Sequence, residues 1–167
     1  MMNSGLTDWN QVAGVCKEMG IQFGYHNHNF EFADLDGIVP YYDLFLKEMD
    51  AGLITMEIDL YWVTKAGQDP VETFKKYPGR FQLFHLKDMY EESGAYFDVQ
   101  KVDIAPVGEG KIDFKRILAA KELAGMKHFF VEDDNQGNGI RISSGGSVHA
   151  WRGSSPGRRS AGPGAAR

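Results

Sequence analysis

The 167-residue sequence contains a single cysteine, Cys16. One thiol cannot form an internal disulfide, so the chain is not a disulfide-rich secreted scaffold, and a reducing cytoplasm is the expected compartment. No apolar run approaches the roughly 20 residues that a membrane-spanning helix needs, and residues 1–8 lack the charged and apolar regions of a signal peptide. We therefore expect a cytoplasmic protein without a membrane partner.

Basic residues are scarce over most of the chain. Residues 1–140 carry 13 Lys and Arg against 23 Asp and Glu, a net charge of −10. An acidic surface of this kind repels a phosphate backbone, which argues against nucleic acid as a partner. Residues 141–167 have the opposite balance, with five arginines and no acidic residue. The two parts of the chain are therefore interpreted separately.

The carboxyl-terminal part is poor in apolar residues, and eight glycines lie between positions 137 and 167. A segment that buries so little apolar surface cannot offset the entropy lost on ordering. We therefore predict one folded domain over residues 1–144 and a disordered tail over residues 145–167. A basic arm for an acidic partner is disfavoured, because the arginines are dispersed and lack interleaved aromatic residues. The abrupt change of composition at Ser144 leaves open a tail that is foreign to the domain.

Helix and strand patterns alternate between residues 5 and 135. Capping and stop signals predict helices from an N-cap at Thr7 or Asp8 to Gly20, over Tyr41–Met49, from Asp69-Pro70 to Tyr77, and from Asp113 to Gly125. Short apolar runs predict strands at Ile21–His26, Ile54–Asp59, Phe81–Leu86 and Lys127–Glu132. This alternation is typical of an α/β fold with a parallel sheet covered on both faces.

Each predicted strand has, at its carboxyl end or one residue before it, a residue that can bind a metal or move a proton: His26, Asp59, His85 and Glu132. In parallel α/β folds, ligands bind outside the carboxyl ends of the strands. A set of two imidazoles and two carboxylates suits Mn²⁺, Co²⁺, Zn²⁺ or Fe²⁺ and, less well, Mg²⁺. Any one such residue is more often a helix cap or a surface group, but the repetition at four strand ends favours a site.

Other polar residues lie beside these strand ends. Lys87 is either an exposed charge or a substrate-binding residue, and Glu57, which alternates with Asp59, is expected to form a buried salt bridge. Glu31 either supports the site or lies on the surface. The pair of glycines in Gly108-Glu109-Gly110 predicts a turn rather than a phosphate cradle.

Six motifs occur in order along residues 7–144: Gly24-Tyr25-His26-Asn27-His28-Asn29-Phe30-Glu31-Phe32, Glu57-Ile58-Asp59-Leu60-Tyr61-Trp62, Asp69-Pro70-Val71, Tyr77-Pro78-Gly79-Arg80, His85-Leu86-Lys87-Asp88-Met89 and Val107-Gly108-Glu109-Gly110-Lys111-Ile112-Asp113-Phe114. Together they resemble the sugar phosphate isomerase/epimerase family, a xylose isomerase-like TIM-barrel group that includes inosose dehydratases and is related to apurinic endonucleases. A full (β/α)₈ barrel needs about 250 residues. The resemblance therefore implies a partial barrel of about four βα units, strands five to eight.

The resemblance also implies a metal-dependent enzyme acting on a sugar or keto-sugar. It places the metal ligands at His26, Asp59, His85 and Glu132. It implies that Glu132 moves a proton next to a carbonyl, with His26 and Lys87 as its catalytic partners. The substrate-binding residues would be His28, Trp62 and Lys87.

One residue departs from the family pattern. Better-known epimerases carry a glutamate where this chain has His26, and the His26-Asn27-His28 segment is more similar to the His-Pro-His segment of inosose dehydratases. Proton abstraction followed by isomerisation or loss of a hydroxyl is therefore favoured over a two-glutamate epimerisation. An inosose dehydratase-like lyase and a non-catalytic barrel fragment remain alternatives. Zinc phosphodiesterase chemistry on DNA is disfavoured, because it needs a richer His/Glu cluster.

Half a barrel leaves two strand edges open and exposes apolar sheet surface. We therefore expect self-association of half-barrels as one way to cover these edges.

Overall fold

The apolar runs of the sequence form a parallel sheet in the computed structural model, which describes residues 3–35, 39–91 and 103–132. The strands, in chain order, are β1 Phe23–His26, β2 Asp34–Leu35, β3 Val39–Pro40, β4 Ile54–Asp59, β5 Phe81–Leu86, β6 Asp88–Met89, β7 Ile104–Ala105 and β8 His128–Val131. The main sheet has four parallel strands in the order β1-β4-β5-β8. The pairs β2–β3 and β6–β7 are short and antiparallel.

Within the described ranges, six helices and one 3₁₀ turn (Phe30–Phe32) accompany this sheet. The helices are α1 Asn3–Glu18, α2 Tyr41–Glu48, α3 Leu60–Lys65, α4 Pro70–Lys76, α5 Phe114–Ala119 and α6 Lys121–Ala124. The predicted caps are confirmed for α4 and α5, where Asp69 accepts a hydrogen bond from the Val71 amide and Asp113 accepts one from the Arg116 amide. The α/β parallel architecture is therefore confirmed.

Several boundaries differ from the prediction, and one further helix is present. Strand β8 is one residue shorter at each end than predicted. The predicted N-cap at Thr7 or Asp8 is wrong, since α1 begins at Asn3. Strand β1 begins at Phe23 rather than Ile21. Helix α3 was not predicted, although Asp59 provides its N-cap by accepting a hydrogen bond from the Trp62 amide. The predicted tail, residues 145–167, lies outside the described residues.

The hydrophobic core lies on both faces of the two central strands. Ile58 of β4 and Phe84 of β5 are fully buried, and Phe74 of α4 packs against the Phe84 ring with the ring centroids 5.3 Å apart. The register pairs Asp59 with His85. Since all four strands run in the same direction, their carboxyl ends, and the polar residues there, lie at one edge of the sheet.

Apolar residues are exposed at both ends of the main sheet, on strand β8 and on helix α1 beside β1. Strand β8 is exposed along its whole length. Val12 and Val15 of α1, together with Met19 directly after the helix, form an exposed apolar stripe. On the opposite side of α1, Asn10 and Lys17 donate hydrogen bonds to the carbonyl oxygens of Glu48 and Gly52. The stripe therefore faces away from α2. Within the described residues, the helices are too short or too polar to cross a bilayer.

Candidate metal centre

Three strand ends bring His26, Asp59 and His85 together. One possible ligand atom from each lies within 4.8 Å of the others. The Asp59 Oδ2 atom is 3.5 Å from His26 Nε2 and 3.6 Å from His85 Nδ1. Both distances are too long for good hydrogen bonds. The carboxylate is therefore flanked by two imidazole nitrogens without being bonded to either.

Asp59 is held rigidly in a fully buried position. Its Oδ1 atom accepts a hydrogen bond from the Trp62 amide, and its own amide donates one to Asn27 Oδ1. The Oδ2 atom is buried and has no hydrogen-bond partner among the described residues. Burial raises the pKa of Asp59 to about 7, because the charged carboxylate loses its hydration. A buried oxygen without a hydrogen-bond partner destabilises the fold unless a cation or a proton donor contacts it.

His85 is bonded on the side away from Asp59. Its Nε2 atom lies 2.9 Å from Glu132 Oε2, whereas its Nδ1 atom is buried and lacks a hydrogen-bond partner within the described part of the chain. Lys87 Nζ lies 2.6 Å from the same Glu132 oxygen. Burial lowers the pKa of His85, although the Glu132 charge opposes the shift. A neutral imidazole that donates to Glu132 turns its acceptor nitrogen towards Asp59.

His26 is arranged in the same way on the other side of Asp59. Its Nδ1 atom lies 2.9 Å from Glu57 Oε2. The register pairs His26 with Glu57, and Glu57 precedes Asp59 by two residues on β4. Glu57 was expected to form a buried salt bridge, whereas the structure shows a partly buried contact with a histidine of the site.

These donors fit a divalent cation. Ligand bonds of about 2.1 Å in a tetrahedral arrangement place the ligand atoms about 3.4 Å apart. The Asp59 Oδ2 atom lies 3.5 and 3.6 Å from the two imidazole nitrogens, which is close to this value. Two imidazole nitrogens and a carboxylate oxygen are also the ligand types that such ions prefer. The buried, unsatisfied atoms Asp59 Oδ2 and His85 Nδ1 provide a structural reason for a cation at this point.

An aromatic wall, formed by the rings of His28, Phe30 and Trp62, lies beside this group of site residues. His28 lies 5.4 Å from Trp62 and 5.6 Å from Phe30 by ring centroids, and it stacks on the latter. The Lys87 ammonium lies over the Trp62 ring at 5.9 Å. Burial lowers the pKa of His28, and its backbone amide donates to the buried carboxylate of Glu31. Glu31 therefore supports the site rather than lying on the surface.

The described residues thus group His26, Asp59 and His85 at one point. Glu132 contacts His85, Lys87 contacts Glu132, and His28 and Trp62 lie alongside. Sequence reasoning missed Asn27, whose side-chain oxygen holds the Asp59 amide. Its position between His26 and His28 was the available signal. The Gly108-Glu109-Gly110 turn is confirmed, and the amides of both glycines donate to Asp88.

No protein-family model matches the chain. Curated relatives named inosose dehydratase are 25% identical over 136 residues (Geobacillus thermodenitrificans) and 27% identical over 142 residues (Clostridium perfringens). These matches cover 76% and 80% of this chain but 45% and 43% of the relatives. The chain therefore spans less than half the length of these curated relatives.

Two solved structures likewise match this chain over less than half of their own length. A sugar phosphate isomerase/epimerase from Parabacteroides distasonis superposes with a TM-score of 0.64 at 30% identity, over 80% of this chain and 45% of that one. A probable 3-DHS dehydratase from Bacillus anthracis gives a TM-score of 0.56 at 16% identity, over 77% and 48% of the two chains, which supports the fold alone. The resemblance to sugar phosphate isomerase/epimerase proteins, with part of a xylose isomerase-like TIM barrel as the fold, is confirmed.

Proposed function

We propose that this chain carries the metal site of a sugar isomerase/epimerase-like enzyme, which removes a proton next to a carbonyl. The observation that carries the proposal is the convergence of Asp59 Oδ2 and His85 Nδ1, both buried and without hydrogen bonds, beside the Glu132–Lys87 pair. The four main strands would then be strands five to eight of the barrel. The acidic domain and the aromatic wall favour a small sugar or keto-sugar over nucleic acid, in a cytoplasmic setting.

His26, Asp59 and His85 would hold a divalent ion, with Mn²⁺, Co²⁺ or Zn²⁺ as the best candidates and Mg²⁺ as a further one. When bound, such an ion polarises a carbonyl and stabilises negative charge on its oxygen. Glu132 is the fourth ligand that the resemblance implies. Its carboxylate contacts the outer nitrogen of His85, so its side chain would have to rotate to join the group.

Glu132 is the residue best placed to move the proton. Its Oε2 atom is 2.6 Å from the Lys87 ammonium, and a carboxylate within reach of the substrate is the group that general-base catalysis requires. The carbon next to the substrate carbonyl would give its proton to this carboxylate. Return of this proton to the former carbonyl carbon, together with transfer of the adjacent hydroxyl proton to the former carbonyl oxygen, completes an isomerisation. Lys87 would meanwhile donate a hydrogen bond to a substrate oxygen, and His28 and Trp62 would pack against the sugar ring.

A dehydratase reaction is the second candidate, favoured by the curated relatives named inosose dehydratase and by the adjacent rings of His26 and His28, whose centroids are 5.3 Å apart. It begins with the same proton transfer to Glu132. A hydroxyl on the next carbon then leaves, takes up that proton and departs as water. The product is an unsaturated keto-sugar.

The test uses the purified full chain, freed of metal and then supplied separately with Mn²⁺, Co²⁺, Zn²⁺ or Mg²⁺. Keto-sugars, their phosphates and an inosose are incubated with it in D₂O. We expect metal-dependent incorporation of deuterium next to the carbonyl, seen by NMR, and its loss in Glu132→Gln. The exposed variant Glu72→Gln is the control. An ultraviolet-absorbing conjugated product identifies the dehydratase. No exchange with any metal supports the alternative of a non-catalytic barrel fragment.

The open edges of the sheet support a second copy of this chain as a partner. Two apolar edges are exposed: Val12, Val15, Met19 and Ile21 on one side, and Leu123, Phe129, Phe130 and Val131 on the other. At roughly 100 Å² each, these side chains offer about 800 Å² per copy, which is the size of a standard interface. A 180° rotation about the barrel axis would lay β8 of one copy parallel to β1 of the other. The resulting ring has eight strands and no open edge.

Light scattering after size-exclusion chromatography tests this arrangement. We expect a dimer of twice 18.7 kDa that dissociates in Val15→Glu and Phe130→Glu. Lys75→Glu, on an exposed part of α4, is the control and should stay dimeric. A monodisperse wild-type monomer, or an open-ended aggregate, contradicts the two-copy barrel.

A further inference from the structure

Glu57 contacts the metal-site histidine His26 from the neighbouring strand, and the proposed function gives it no task. Its Oε2 atom lies 2.9 Å from His26 Nδ1. Both side chains are largely but not fully buried, at 28% and 21% relative exposure. The contact therefore lies in a partly desolvated setting, where a charge-assisted hydrogen bond is stronger than in water.

The strand register explains why these residues meet. His26 at the end of β1 is paired with Glu57 in the middle of β4. Successive side chains on a strand point to opposite faces, so Glu57 and Asp59 share a face. The imidazole of His26 consequently lies between two carboxylates, with one ring nitrogen turned to each.

The distances decide which nitrogen of the neutral ring carries the proton. A bare Nδ1 would place two hydrogen-bond acceptors 2.9 Å apart, whereas an N–H at Nδ1 makes a good bond to Glu57. The Nε2 atom is 3.5 Å from Asp59 Oδ2, too far to require a proton there. The neutral ring is therefore protonated on Nδ1 and presents a lone pair at Nε2.

We infer that Glu57 is a positioning residue, which fixes the His26 tautomer and orients Nε2 into the proposed metal site. This inference rests on the proposed function for the identity of the ligand. Glu132 contacts His85 in a corresponding way but at the other ring nitrogen. It is bonded to Nε2 of His85, so that Nδ1 faces Asp59. Each histidine of the site thus has a carboxylate on its outer nitrogen. Carboxylates in this role raise the basicity of the ligand and fix its ring.

The test combines a metal-free and a metal-binding measurement on the full chain. The ¹⁵N shifts of the His26 ring at pH 8 report the tautomer without metal, and calorimetry with Zn²⁺ and Mn²⁺ reports affinity. We expect the Nδ1–H form in the wild type and in Glu57→Gln, whose amide oxygen still accepts a hydrogen bond. We expect its loss in Glu57→Ala, with metal affinity lowered about 10- to 100-fold.

Glu72→Gln and Glu72→Ala are matched controls, because Glu72 also pairs with a basic side chain but is exposed. Thermal unfolding checks that all variants fold. An unchanged tautomer and unchanged metal affinity in Glu57→Ala overturn the inference while leaving the metal site intact. If the wild type binds neither Zn²⁺ nor Mn²⁺, the proposed function is contradicted. The ¹⁵N shifts of the His26 ring then decide by themselves whether Glu57 fixes the tautomer.

Discussion

Strands β5 and β8 are neighbours in the sheet and have similar apolar sequences, yet their surroundings differ completely. Phe84 of β5 is paired in register with Phe129 of β8. The first is fully buried at 0% exposure, whereas the second is 53% exposed. An apolar strand is therefore stabilised by what covers it, and its own sequence does not provide that cover. In this chain, β5 has strands on both sides and helices α3 and α4 nearby, but β8 is the last strand of the described sheet.

The largest expected effect comes from removing a buried side chain of β5. Phe84→Ala removes a buried ring that packs on Phe74 and should lower the free energy of unfolding by about 4 kcal/mol. Phe129→Ala removes a ring that is half-exposed in the single chain, and it should cost less than about 1 kcal/mol at a protein concentration low enough to keep the chain monomeric. Urea unfolding followed by circular dichroism measures both variants at one protein concentration. Equal losses would show that β8 is as well covered as β5.

A smaller effect is expected from the segment that continues β5. The buried Asp88 carboxylate accepts hydrogen bonds from the amides of Met89, Gly108, Gly110 and Ile112. Asp88→Ala leaves these amides without their acceptor and should destabilise the fold by about 3 kcal/mol. A Cβ at Gly110 would lie 2.3 Å from Asp88 Oδ1, so Gly110→Ala should have the same direction of effect.

The control for Asp88→Ala is Asp113→Ala, which removes an exposed helix cap and should cost about 1 kcal/mol. Both are compared by urea unfolding. If the two aspartates prove equivalent, the buried cluster of amides does not hold the end of β5.

The smallest effect concerns an ion pair between α3 and the segment before β7. The Lys65 ammonium, almost fully buried, lies 2.7 Å from Asp103 Oδ1. Burial raises the pKa of Asp103, but the hydrogen bonds from Lys65, the Glu91 amide and Tyr61 outweigh it and hold the pKa below its ordinary value. The pair therefore contributes stability above the ordinary aspartate pKa of about 4. That contribution is lost as the pH falls through the lower, folded-state pKa.

Asp103→Asn should consequently cost about 1.5 kcal/mol at pH 7 and progressively less towards pH 2. Urea unfolding of the wild type and the variant across this range measures the difference. The exposed pair of Asp69 and Arg116 provides the comparison, and Asp69→Asn, which keeps the helix cap, should change stability by less. A loss that is independent of pH would exclude the charge on Asp103 as its source.

The sequence predicted the covered centre of the fold better than its edges. Strands β4 and β5 have the predicted bounds, because continuous apolar runs between turn signals are unambiguous when a sheet is buried on both faces. The start of α1 was missed, since Thr7 and Asp8 are good caps that the longer helix does not use. The exposure of Phe129 could not be predicted, because it depends on whether another element lies beside β8.

The candidate site was predictable as a set of residue types but not as a set of contacts. His26, Asp59 and His85 were predicted from the strand ends, and the structure brings them together. The contact between His26 and Glu57 depends on the register of two strands, which no local pattern encodes. The same holds for Asn27, whose bond to the Asp59 amide requires that β1 and β4 be neighbours.

The most direct test of the account is the metal stoichiometry of the wild type and Asp59→Asn, measured by calorimetry with Zn²⁺ and Mn²⁺. Asparagine can still cap α3, so this variant changes the proposed ligand charge and keeps the helix. Asp113→Asn, at the cap of α5, is the matched control. We expect one ion per chain in the wild type and the control, and at least about tenfold weaker binding in Asp59→Asn. Absence of binding in the wild type, or equal binding in all three proteins, would contradict it.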